Sequence, residues 1–191
     1  MDFAVILIAT IVGCFALRNP LKTLPVAFYA AAIAIDVVYV YGVFFGLPRA
    51  IWSPLFVLIQ KCELSLALFV VVVFIGCLNR GGRAYHWLKP VRSELSIVAW
   101  FLSLGHMAVY LGSYLPRLLG NASINGNVAV AFGVAVALFV LLALLGVTSL
   151  GIVKRAMSSR RWTRIQRFAY LFFALIFCHL ALMLLPAALR G

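Results

Sequence analysis

The chain has 191 residues, 66% of them hydrophobic and only 10% charged, with a mean hydropathy of +1.15; no water-soluble domain carries that composition without precipitating, so an integral membrane protein is expected. A formal charge of +12 would point to nucleic acid in a soluble protein. Here the basic residues sit in short loops between apolar runs, the pattern of membrane topology, and no nucleic-acid partner is expected.

Apolar runs of about 20 residues match the hydrocarbon core of a bilayer, and without period-2 alternation the spans should be helices rather than barrel strands. The first run, Asp2 to Leu17, is short for a span. It lacks the basic leader of a signal peptide and is followed by Arg18 and Lys22, so it reads as a retained helix with its amino terminus outside. Ile11-Val12-Gly13-Cys14 weakly resembles a lipoprotein cleavage site, with the flanking charges reversed. The second run, Leu24 to Leu47, holds Asp36 near its middle. A carboxyl at that depth is costly, so it faces protein or water or is protonated; it reads either as a proton or quinone contact or, preferably, as a group hydrogen-bonded to a neighbouring helix.

The third run, Leu55 to Leu78, contains Lys61 and Glu63, which at i, i+2 do not face each other on a helix. Lys61 is a candidate haem-propionate contact, or it snorkels to the interface. The loop Asn79 to Ser93 carries Arg80, Arg83, Lys89 and Arg92, and His86 within it reads as solvent-exposed. In the fourth run, Glu94 to Leu115, Glu94 complements the positive end of the helix dipole. Further along, Gly105 beside His106 removes a side chain where a bulky ring would press. The loop Pro116 to Asn127 is weakly charged and includes a glycosylation pattern at Asn121-Ala122-Ser123. The fifth run, Val128 to Leu150, leads into the densest basic stretch, Lys154 to Arg167, and the sixth, Arg164 to Leu185, contains His179 before Arg190 as a terminal anchor. Cys14, Cys62, Cys77 and Cys178 all fall in apolar runs without a CxxC pair and read as buried apolar side chains, not as haem-attachment, zinc or iron–sulfur ligands.

Twelve of the sixteen Lys and Arg fall in the first, third and fifth loops, against Arg49, Arg117 and Arg190 on the other side. The expected fold is therefore an all-α integral membrane protein: one transmembrane domain over 1–191, a bundle of six transmembrane helices with both termini extracytoplasmic, multi-pass in the cell inner (plasma) membrane. The fourth and sixth helices then run in parallel. His106 and His179 each lie about 11 residues into the apolar core, roughly 16 Å deep at 1.5 Å per residue. Histidine is rare in spans, and two at matched depth read equally as helix-to-helix hydrogen-bonding residues or as axial ligands of one b-type haem.

The stretch from Arg92 to Arg190 adds to this. Glu94-Leu95, His106 and Tyr110; Leu144-Leu145-Gly146-Val147-Thr148-Ser149; Arg161-Trp162; Arg167-Phe168-Ala169-Tyr170-Leu171; and His179 occur in an order that resembles the ferric reductase-like transmembrane domain family. The likeness is strongest to its small bacterial branch, the haem-binding membrane subunits of the periplasmic methionine sulfoxide reductase system. The resemblance implies a haem-binding core over 92–190 preceded by additional amino-terminal helices over 1–47. It also implies one haem b held by His106 and His179, and electrons passed from quinol or a reduced flavin such as FMN to an extracytoplasmic oxidoreductase subunit. Where that branch has a further histidine, this chain has Gln166. Arg164, Arg167 and Trp162 are candidate donor-side contacts, with lipid headgroups the preferred partners. Two other readings compete: a small-molecule or ion transporter or channel lined by Asp36, Lys61 and Glu63, and a non-catalytic membrane anchor subunit.

Overall fold

A computed structural model describes residues 3–120 and 126–188. Every regular element among them is a helix: α1 Phe3–Ala16, α2 Arg18–Thr23, α3 Pro25–Phe45, α4 Arg49–Leu55, α5 Glu63–Cys77, α6 Arg83–Leu88, α7 Arg92–Leu119, α8 Gly126–Ser149, α9 Gly151–Ala156, α10 Ser159–Gln166 and α11 Phe168–Ala188, with a π-turn at Phe56–Gln60 and a 3-10 turn at Lys89–Val91. Four helical stretches are long and apolar enough to cross a membrane, or five if the bent pair Arg49–Gln60 and Glu63–Cys77 is taken as one span. The first expected span is a helix of only 14 residues, about 21 Å long, against a hydrocarbon core of about 30 Å. Asp2, its expected start, lies outside the described residues, as do Asn121, Ser123 and Arg190.

The chain divides into two compact units, Met1–Val109 and Tyr110–Gly191. In the first, α1 packs along α5, and one apolar core takes in Tyr39 of α3, Ile59 of the π-turn, Val71 and Ile75 of α5 and Leu95 and Ala99 of α7. Tyr39 is wholly buried and stacks on Trp52, ring centroids 6.1 Å apart. Beside it, a Cβ on Gly42 of α3 would sit 2.6 Å from the tip of the Leu47 side chain, so a larger residue there would displace that side chain.

The two basic loops of this unit meet at one end. The Arg18 guanidinium lies 4.2 Å above the Trp87 ring and its Nε–H donates to the Trp87 carbonyl at 2.8 Å, while Trp87 Nε1–H donates to the Phe15 carbonyl at 3.3 Å. A cation stacked on an indole that is itself hydrogen-bonded ties the end of α1 to α6.

In the second unit α8 and α11 pack side by side. Many large apolar side chains stay on the outer surface of both units, among them Val140 and Phe177. On helices of this length such residues face hydrocarbon rather than water.

Candidate functional site

The expected third span is not continuous. Lys61 N–H bonds the Phe56 carbonyl, a π-type closure, and Cys62 N–H bonds the Ile59 carbonyl. Cys62 then takes a left-handed conformation, φ 59°, a position that usually ends a helix at glycine. The two halves meet at a 42° bend. Lys61 and Glu63 flank this break instead of riding on one helix. Lys61 is exposed, with its ammonium 5.7 Å from the Phe56 ring, while Glu63 opens α5, where its carboxylate complements the helix dipole.

Ending a helix releases its last carbonyls from helical bonding, and Gln60, one residue before the cap, uses its own. His106 Nδ1 lies 2.6 Å from the Gln60 carbonyl oxygen. A carbonyl only accepts, so Nδ1 carries the proton and the ring lone pair is on Nε2. His179 repeats the arrangement in the second unit, with Nδ1 donating to the Ala131 carbonyl of α8 at 3.1 Å. That carbonyl has a second lone pair, so the bond does not require breaking α8. Both rings are half-buried.

Asp36 does what its plainer reading expects. It is buried, and its Oδ2 accepts the Gly105 N–H of α7 at 2.7 Å. Gly105 has a structural reason of its own: a Cβ there would meet Asp36 at 2.8 Å, so glycine makes room for this carboxyl. Asp36 Oδ1 is buried without a hydrogen-bond partner among the described residues.

His86 is exposed on α6, edge-on to Tyr85. Trp162 is fastened to the end of α8, its Nε1–H donating to the Thr148 carbonyl at 3.1 Å, with the Lys154 ammonium 4.6 Å above its ring. Gln166 Nε2 donates to Thr148 Oγ1 at 3.2 Å, so it serves as a bracket between α10 and the Thr148-Ser149 end of α8. Arg164 and Arg167 are exposed and line an open cleft of about 550 Å3 with Ser159, Arg160 and Thr163. Tyr110 stacks on Tyr114, ring centroids 6.1 Å apart. Sequence reasoning missed the Gln60 and Ala131 carbonyls, because a backbone acceptor has no side-chain signature. It also missed the break at Cys62.

Among known proteins, no family model and no solved structure matches this chain. It is similar to a protein of Treponema pallidum (strain Nichols) that bears the description "Uncharacterized protein", 33% identical over 188 residues that make up 97% of this chain and 52% of the relative. The chain thus spans about half the length of the curated relative it matches.

Proposed function

We propose that this chain is a haem b electron-transfer subunit of the inner membrane. In this reading it has six spans, counting α1 and the broken pair, and both termini are outside. The observation that carries the proposal is the shared tautomer of two intramembrane histidines. Nδ1–H of His106 is committed to the Gln60 carbonyl and Nδ1–H of His179 to the Ala131 carbonyl, which places the donor lone pair of each ring on Nε2. Metal-binding histidines are held in this way, the second ring nitrogen fixed by a carbonyl that orients the ring and raises its basicity. Each ring is thereby prepared to donate through Nε2, and in this reading His106 and His179 would be the residues that hold the haem iron.

Bound haem would supply one-electron transfer through its iron. The chain's part is to fix ring orientation through the two carbonyls, to keep water from the ligands within apolar helices, and to present its basic loops to a quinol or flavoprotein donor on the inner side. Electrons would leave to an extracytoplasmic oxidoreductase. Arg164 and Arg167, exposed at the start of the last span, serve as lipid-headgroup or donor-side contacts in this reading, and Lys61 as a propionate contact.

The test is a reduced-minus-oxidised visible spectrum of the purified chain expressed with haem supply. A sharp α band of the b type is expected, lost in His106→Ala and in His179→Ala and retained in His86→Ala. A folded, colourless wild type would overturn the proposal, and a band that disappears only in His86→Ala would move the ligand elsewhere.

One observation favours a second reading, a transporter or channel. The break at Cys62 sets two half-helix ends beside Asp36 and Glu63, and interrupted spans with carboxylates characterise intramembrane ion paths. Uptake of a cation into liposomes containing the chain, lost on Glu63→Gln, would support it; sealed liposomes with no such uptake would exclude it.

A further inference from the structure

Between α3 and α7 lies a groove of about 330 Å3, lined by Ile33, Val37, Phe101, Leu104 and Ala108 around Asp36. Among the described residues, Asp36 is the only polar side chain that lines it. Asp36 is 8% exposed; its Oδ2 is taken by the Gly105 amide, and its Oδ1 is buried without a partner among the described residues. Ile33 and Val37, by contrast, are 45% and 62% exposed, so the groove is open on the side of α3 that faces hydrocarbon.

We infer that this groove binds the ring head of a lipid-soluble quinone, with one ring oxygen hydrogen-bonded to Asp36 Oδ1 and the isoprenoid tail lying in the bilayer. The chemistry of the walls selects this class. A metal cation needs several oxygen ligands and finds one. An acyl chain fills the apolar walls but leaves Oδ1 unsatisfied, and a buried unpaired polar atom is costly. The volume is at the small end of ligand pockets, roughly 300–1,000 Å3, and suits a single ring. Phe101 offers an aromatic face on one wall.

A quinone also suits Asp36 in both of its own states. With Oδ2 held as acceptor by Gly105, a protonated Asp36 carries its proton on Oδ1 and donates to a quinone carbonyl. As carboxylate, the same Oδ1 accepts from a hydroquinone hydroxyl. Gly105 adjoins His106 in α7, so the head would lie along the same turn as a proposed haem ligand. For its role this inference rests on the electron-transfer reading; binding itself requires no haem.

The experiment uses the full chain in phosphatidylcholine nanodiscs, with an azido-substituted decylquinone as photolabel and decylubiquinone as competitor. Saturable labelling is expected on peptides covering residues 33–40 and 101–108. Ala108→Trp, which fills the groove from an exposed position, and Asp36→Leu, which removes the oxygen, should each weaken binding by about tenfold or more. Asp36→Asn is the finer probe. The Gly105 N–H fixes the amide oxygen toward α7 and turns the NH2 into the groove, so oxidised quinone should still bind within about threefold while the hydroquinone loses about tenfold. Labelling elsewhere, displacement by cholesterol or excess phospholipid, or full affinity in both Ala108→Trp and Asp36→Leu would overturn the inference. The α band is recorded on the same samples. Quinone binding to a chain without the band would sink the haem reading and leave the groove standing; a band without groove labelling would do the reverse.

Discussion

At the scale of single residues, two intramembrane histidines share one feature: each gives Nδ1–H to a main-chain oxygen of a neighbouring helix. Next to His106 in the chain, Gly105 forms a tight steric pairing with Asp36. Gly105→Ala would bring a methyl group to 2.8 Å from the Asp36 carboxyl, and overpacking of this kind is expected to destabilise by about 1–3 kcal/mol. Because the clash is with one side chain, the double variant Asp36→Ala, Gly105→Ala should recover much of that loss in thermal unfolding in detergent; equal and additive losses would show the two sites to be independent. Asp36 was legible in the sequence, since a lone carboxyl in an apolar run has to find a donor. Its donor was not, because a backbone N–H belongs to every residue and nothing marks Gly105 as the one that serves.

At the scale of elements, the third span is decided by main-chain geometry at Cys62. A left-handed conformation costs a β-carbon-bearing residue about 1–2 kcal/mol relative to glycine. Cys62→Gly is therefore expected to be neutral or stabilising. A β-branched residue is worse placed there, and Cys62→Val should lower stability by about 1–3 kcal/mol. If both variants unfold at the wild-type temperature, the break does not persist in the folded protein. His106→Phe should also loosen this region, since it strips the Gln60 carbonyl of its donor. The length of the apolar runs located α3, α7, α8 and α11, where those runs are long and uninterrupted. It missed the break because Leu55 to Leu78 contains no glycine before Gly76 and no proline at the bend; a cysteine taking the glycine conformation leaves no trace in composition. The first helix is the short case that its sequence announced: at 14 residues it is shorter than the four helical stretches long enough to cross a membrane unaided.

At the scale of the molecule, charge and hydropathy carry most of the information. The basic first and third loops expected on one side do meet, through Arg18 and Trp87; which face of the membrane they occupy is proposed from the Lys and Arg bias alone. Cysteines introduced singly into a cysteine-free background test that orientation. Gly81→Cys and Arg160→Cys should be shielded from an impermeant maleimide in intact cells, and Arg117→Cys should react; the reverse pattern would invert the protein in its membrane. The histidine pair was legible as residue types in apolar runs, and the carbonyls that set their tautomer were not. Membrane character and helical class follow from composition alone, whereas the ligand set depends on ring orientation, which sequence does not encode directly.

The most direct measurement is the low-temperature electron paramagnetic resonance spectrum of the oxidised, haem-supplied chain. Two neutral imidazoles on one iron give a low-spin ferric signal, and either single variant, His106→Ala or His179→Ala, should convert it to high spin or abolish it. A wild-type spectrum that is high spin, or a low-spin signal that survives both substitutions, would contradict axial ligation by this pair.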